Sequence, residues 1–208
     1  MKNYNYIFAD LDGTLINTIT GKTFPEGIWD MKINFTALDR IRELNPERIF
    51  IVSNQGGIEK GFVNNDMFYD KIQYIRGAVF EYTGIKTHFS FCTTNDPNSP
   101  YRKPNPGLIN EFIHEFKIPR DEALMIGDAS GKKGQFSDSD LQCAKRANID
   151  YIDIVDLINT EDPECDIMHF YCEVSCAGCA LEGKCPFTGP SALKCPCSPG
   201  EILSIKIM

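Results

Sequence analysis

An apolar run that stops at two acids and a glycine constrains this chain more than any other stretch. Tyr4-Asn5-Tyr6-Ile7-Phe8-Ala9 reads as a buried strand, and Asp10-Leu11-Asp12-Gly13-Thr14-Leu15 comes directly after it. Acids two residues apart at a strand's C-terminal end point into the crevice where open α/β sheets hold their ligands. Crowded carboxylates repel unless a cation joins them, and a hard oxygen-ligated ion such as Mg²⁺ suits them. A carboxylate beside such an ion can attack phosphorus to give an aspartyl-phosphate.

The remainder of the chain alternates strand with helix, the pattern of a parallel sheet covered on both faces. Residues 13 to 33 read as a loop rich in Gly, Pro and Thr. Asn34 caps a helix from Phe35 to Leu44, with Leu38, Ile41 and Leu44 on one stripe. Strands are expected at Arg48–Val52, Thr87–Cys92, Ala123–Ile126 and Tyr151–Val155. Helices are expected at Asn65–Tyr82, Pro104–Phe116 and Asp138–Ala147.

The next three strands lead into residues that repeat the logic of the first loop. Ser53-Asn54-Gln55-Gly56-Gly57 offers a hydroxyl, amides and backbone N–H groups that suit a phosphate oxygen. Arg102-Lys103-Pro104 places a lysine where it can neutralise developing phosphoryl charge. Gly127-Asp128 brings a further acid to the same edge. Ser137-Asp138-Ser139-Asp140 precedes a helix; one of its side chains is expected to cap the helix and the other to face the site.

Composition then limits partners. The chain has 208 residues and a formal charge of -8, which argues against a broad nucleic-acid surface and leaves room for a local basic groove. No apolar run approaches the ~18 residues of a membrane span, and no signal peptide opens the chain, so the expected compartment is the cytoplasm.

The acid pair, Ser53, Lys103 and the Gly127-Asp128 segment, in that order, resemble the four motifs of haloacid dehalogenase-like phosphohydrolases. The resemblance runs from about Tyr4 to Ile158. It implies a Rossmann-like, doubly wound parallel sheet without a large cap domain; a small cysteine-rich C-terminal appendage lies beyond the resemblance. A narrower likeness is to the 3′-phosphatase domain of polynucleotide kinase-phosphatases. It is carried by Phe8 to Ile16, Gly21-Lys22-Thr23-Phe24-Pro25, Trp29, Ser53-Asn54-Gln55, Gly57-Ile58, Gly61, Arg102-Lys103-Pro104, Gly127 to Lys132, Phe136-Ser137 and Asp140. Gln135 stands where that family usually has Asp, and the partner kinase domain is absent. The sister group, histidinol-phosphate and heptose-bisphosphate phosphatases, often carries a zinc loop before Arg-Lys-Pro. Cys92 to Tyr101 lacks that loop.

The resemblance implies roles. Asp10 is the nucleophile, and Asp12 protonates the leaving alcohol and then activates water. The Asp10 carboxylate, the Asp12 carbonyl and Asp128 hold Mg²⁺. Ser53 and Lys103 bind phosphate oxygens with the Leu11 and Asp12 N–H groups, and Asn54 is a further substrate-binding residue. Asp140, with Asp138 competing, orients Lys103 or a metal-bound water. Thr14 fixes the turn. The expected substrate is a polynucleotide 3′-phosphate, a DNA or RNA end. Lys22, Arg102, Lys132 and Lys133 would meet its backbone and Trp29 or Phe24 would stack on its base. A small-molecule phosphomonoester is the alternative, and a metal-bearing binding module on a vestigial phosphatase fold is a third reading.

Seven of nine cysteines fall in the last quarter. The boundary is set at 160, with a phosphatase domain before it and residues 161–208 as a separate segment. Cys172, Cys176, Cys179 and Cys185 have the density of a metal knuckle, zinc first, an iron–sulfur cluster second, and disulfides or free thiols last, with His169 as a further possible ligand. Cys92 and Cys143 are expected to be buried, inert thiols.

Overall fold

A computed structural model describes residues 2–22, 25–62 and 65–160. In chain order these form β1 (Tyr6–Ala9), β2 (Ile16–Thr18), β3 (Met31–Ile33), α1 (Phe35–Glu43), β4 (Arg48–Asn54), α2 (Asn65–Thr83), β5 (Lys86–Cys92), α3 (Gly107–Phe116), β6 (Ala123–Gly127), α4 (Ser139–Ala147), β7 (Asp150–Asp153) and α5 (Ile154–Ile158). Five strands make one parallel sheet in the order β5-β4-β1-β6-β7. From β1 the chain winds outward through β4 and β5, then crosses back to β6 and β7. The crevice beside β1 is therefore the topological switch point.

Strand pleating explains the continuous apolar runs. Ile7 and Ala9 of β1 and Ile49 and Ile51 of β4 face a core closed by Leu38, Ile41, Ile75, Val79, Ile154 and Leu157, which come from α1, α2 and α5. Phe8, Phe50 and Val52 face the opposite core, closed by α3 and α4 through Ile109, Phe112, Cys143 and Ala144. Phe8 stacks on Phe50 with ring centroids 5.1 Å apart. Fully burying such a side chain contributes about 1.5–3 kcal/mol. Asn34 caps α1, its side chain accepting from Ala37 N at 3.2 Å.

Four departures from the sequence expectations bear on how the site is built. The loop after β1 contains the antiparallel hairpin β2–β3, whose three-residue strands are too short to show a period. Buried Asp30 closes it, accepting from Thr20 N at 2.9 Å, Thr20 Oγ1 at 3.0 Å and Glu26 N at 3.1 Å. The helix expected from Pro104 begins at Gly107, because residues 100–106 form turns that deliver Lys103. The last strand ends at Asp153, whose carboxylate accepts from Val155 N at 2.9 Å and starts α5; that cap overrides the β-branched run Ile152-Asp153-Ile154-Val155. Asp138 occupies the N-cap position of α4 without a capping side-chain bond; its carboxylate accepts from Gln142 Nε2 at 3.1 Å.

No helix among the described residues is long and apolar enough to cross a membrane. Cys172, Cys176, Cys179, Cys185 and His169 lie outside the described residues.

Candidate active site

Asp10 is the first residue past β1, and its N–H donates to Ile126 O of β6 at 2.9 Å, so the two central strands hold it. Gly13 turns the chain with φ +85°, a conformation L side chains resist. A Cβ there would lie 2.2 Å from Asp128 Oδ2, so the turn packs against the acid that ends β6. A Cβ on Gly127 would likewise meet Asp140 Oδ2 at 2.3 Å. Two bare backbones thus let the acids converge. One oxygen from each of Asp10, Asp128 and Asp140 lies within 4.8 Å of the others.

Lys103 reaches this cluster from the loop after β5. It is buried, in contact with Asp10 Oδ1 and 2.7 Å from Asp140 Oδ1. Asp140, not Asp138, is the acid beside the lysine. Asn54, expected to bind substrate, has its amide engaged elsewhere: Oδ1 accepts from Lys103 N at 2.9 Å and Nδ2 donates to Lys103 O at 3.0 Å. Ser53 is buried, and its Oγ accepts from Gln55 Nε2 at 2.8 Å. The Leu11 and Asp12 N–H groups have no backbone partner among the described residues, which suits an anion at the turn.

Asp12 sits differently from the other acids. Its Oδ1 accepts from Lys71 Nζ of α2 at 2.9 Å and its Oδ2 from Gln55 Nε2 at 2.8 Å. Lys71 carries no expected role, and Gln55 is expected only as one of the amides that suit phosphate. Gln55 was at least within the loop after β4. Lys71 leaves one trace: it interrupts the stripe Phe68, Ile72, Ile75 and Val79 that α2 buries.

The electrostatics ask for a cation. Burial pushes the Asp10 carboxyl up to about 8; Lys103 pulls against this, and Asp140 and Asp128 reinforce it. Burial and then Asp140 push Asp128 up to about 6. Burial works against the charge on Lys103, but Asp10 and Asp140 hold its ammonium above the ordinary lysine range. Fully ionised, Asp10, Asp12, Asp128 and Asp140 would carry two negative charges more than the ammonium groups of Lys71 and Lys103 can offset. One divalent, oxygen-seeking ion would balance them, so the donor set fits Mg²⁺.

The rim is less basic than its sequence. Lys22 pairs with Glu26, and Lys132 Nζ lies 2.5 Å from Asp156 Oδ1 and 3.7 Å from Asp153 Oδ1. Arg102 Nη1 donates to Thr94 O at 3.0 Å. Lys133 and Trp29 are exposed, and Phe24 lies outside the described residues. Gln135 ties its loop together, accepting from Ser130 N at 2.8 Å and donating to Asp153 Oδ2 at 2.7 Å. A cavity of about 330 Å³ opens between Asp12, Asp128, the β2–β3 hairpin and Phe136. Cys92 and Cys143 are buried free thiols, and burial pushes Cys143 up to about 12.

Known proteins match this chain in sequence and in fold. A family described as polynucleotide kinase 3 phosphatase matches residues 5–153. The chain is 28% identical over 155 residues to a bifunctional polynucleotide phosphatase/kinase of Schizosaccharomyces pombe, covering 72% of this chain and 36% of that one. It is also 28% identical over 165 residues to a D-glycero-alpha-D-manno-heptose-1,7-bisphosphate 7-phosphatase of Burkholderia mallei, covering 72% and 78%. The crystal structure of D,D-heptose 1.7-bisphosphate phosphatase from B. bronchiseptica, complexed with magnesium and phosphate, matches with a TM-score of 0.58. Its identity is 18%, over 71% of this chain and 78% of that one, a likeness of fold alone.

Proposed function

We propose a mechanism and a substrate from one premise: the chain belongs to the polynucleotide kinase 3 phosphatase family, and so to the haloacid dehalogenase-like phosphatases. It is a phosphoric monoester hydrolase. This displaces the reading of a binding module on a vestigial fold.

The observation that carries the mechanism is the convergence of Asp10, Lys103, Asp128 and Asp140 at the switch point. Asp10 attacks the phosphorus, and the ester bond to the leaving oxygen breaks as the aspartyl-phosphate forms. Asp12 in its protonated form gives that proton to the leaving oxygen, and as the resulting carboxylate it takes one back from the water that splits the aspartyl-phosphate. Ser53, Lys103 and the Leu11 and Asp12 N–H groups hold the phosphoryl oxygens. Asp140 fixes Lys103. The Asp10 and Asp128 carboxylates and the Asp12 carbonyl would hold Mg²⁺, which supplies positive charge against the phosphoryl oxygens.

The substrate is a polynucleotide 3′-phosphate. The family match and the polynucleotide phosphatase/kinase of S. pombe support this reading. With Lys22 and Lys132 already paired, the grip on the polymer is short, resting on the terminal phosphate and a few neighbours. A sugar phosphate is the second reading, favoured by the B. mallei heptose-bisphosphate phosphatase. Catalytic efficiency on a 3′-phosphorylated oligonucleotide, a 5′-phosphorylated one, heptose bisphosphate and histidinol phosphate decides between them. Preference for either small molecule overturns the polynucleotide assignment and leaves the phosphatase intact.

The cysteine segment is proposed to bind one metal centre at Cys172, Cys176, Cys179 and Cys185. So few residues bury too little apolar surface to fold without a crosslink or metal. Elemental analysis of protein purified without oxygen tests this; protein free of both zinc and iron overturns it.

A further inference from the structure

The mechanism leaves one cation beside the site unused. Lys71 belongs to α2, whose inward stripe is otherwise apolar: Phe68, Ile72, Ile75 and Val79 are all buried. A lysine there gives up hydration and side-chain freedom, a cost that needs a partner. The partner is Asp12, 59 residues earlier in the chain, with Nζ 2.9 Å from Oδ1 and side chains only 13% and 8% exposed. Gln55 holds the other oxygen at 2.8 Å and spans to Ser53 Oγ at the same distance. Both oxygens of Asp12 are therefore fixed from the side of α2 and β4. The cavity beside Asp12 is lined by the β2–β3 hairpin, Asp128 and Phe136, and neither Lys71 nor Gln55 lines it.

Resting on the phosphatase reading above, we propose that Lys71 is a positioning residue. It holds the Asp12 carboxyl aimed at the leaving oxygen and acts on substrate only through Asp12. The two-point hold by Lys71 and Gln55 selects one rotamer of Asp12, the kind of orientation on which proton transfer depends. A lysine that instead bound substrate would face the cavity.

Two phosphate esters separate these roles. The leaving oxygen of p-nitrophenyl phosphate departs without a proton, whereas β-glycerol phosphate, an alkyl ester, needs one. Leaving-group release is followed in single turnovers of the full chain with Mg²⁺, for wild type, Lys71→Met and Lys71→Arg. Lys71→Met slows release from the alkyl ester roughly 10- to 100-fold and from the aryl ester less than about threefold, with KM unchanged. Lys71→Arg, which restores a cation, recovers most of the alkyl rate. In an Asp12→Asn background Lys71→Met adds no further loss. Equal losses on both esters, or an effect confined to KM, overturn the inference and make Lys71 a structural or substrate-binding residue. Should Lys71→Met not fold, the same ratio is read on Lys71→Gln. Wild type that releases neither alcohol overturns the phosphatase reading, and this inference with it.

Discussion

Asn54 grips Lys103 by both polar groups of its backbone, accepting its N–H at 2.9 Å and donating to its carbonyl at 3.0 Å. The last residue of β4 thus sets the height of the loop beyond β5. Lys103 can meet Asp10 and Asp140 only because that loop is held.

Asn54→Ala is therefore expected to act through Lys103. Two lost hydrogen bonds to a partly buried backbone cost about 1–3 kcal/mol. Misplacement of the lysine by an ångström lowers turnover by up to ~10²-fold. Urea unfolding and p-nitrophenyl phosphate turnover check both.

Asp10→Asn removes the nucleophile and keeps its shape, so turnover should vanish while the fold persists. Asp12→Asn should lower the rate on alkyl esters by ~10²–10⁴-fold. Thermal unfolding beside the activity assay separates lost chemistry from lost structure. An active Asp10→Asn would sink the covalent mechanism.

Lys103→Met leaves Asp10 and Asp140 facing each other without their shared cation. Removing one partner from a buried ion pair costs about 3–5 kcal/mol. In EDTA the variant should unfold at lower urea than wild type, and Mg²⁺ should restore part of the difference. Activity should not return.

Metal-free protein should lose stability as pH rises. The folded carboxyls of Asp128 and Asp10 are pushed up to about 6 and about 8, so the native state holds protons that the unfolded chain has released. Stability is then greatest near pH 4, falls to about 6 through Asp128, and falls on to about 8 through Asp10. Lys103 is raised above the ordinary lysine range and stays charged across this window. Mg²⁺ should flatten the slope. Unfolding midpoints from about pH 4 to about pH 8, with and without Mg²⁺, measure it.

Gly13→Ala meets two obstacles, φ +85° and a carboxylate 2.2 Å from the new Cβ. The backbone strain alone is about 1–2 kcal/mol. Because Asp128 must move aside, the sharper effect should be on Mg²⁺ affinity, read by titrating activity with the ion.

The core strands were legible because parallel strands covered on both faces write themselves as unbroken apolar runs, as Arg48 to Val52 does. Their ends were legible because acids and glycines punctuate them. The β2–β3 hairpin was not, since Ile16–Thr18 and Met31–Ile33 are too short for a period and find each other across a loop. Asn54 and Ser53 look alike as polar loop residues; only geometry separates the hydroxyl beside the site from the amide that holds Lys103. Lys71 was hidden because its partner lies 59 residues away. The charges at Lys22 and Lys132 read as free when each has a carboxylate neighbour.

Strand order has a consequence for how activity arises. Ser53 and Lys103 arrive from one flank of β1, Asp128 and Asp140 from the other. Synthesis from the N-terminus delivers the nucleophile first and its last acidic neighbour some 130 residues later. A nascent chain that has laid down β1, β4 and β5 already owns a lysine and a nucleophile. It lacks Asp128, which would share the cation with Asp10, and Asp140, which fixes the lysine. Competence therefore waits for the second flank, which is complete only when β6 and α4 have both been added.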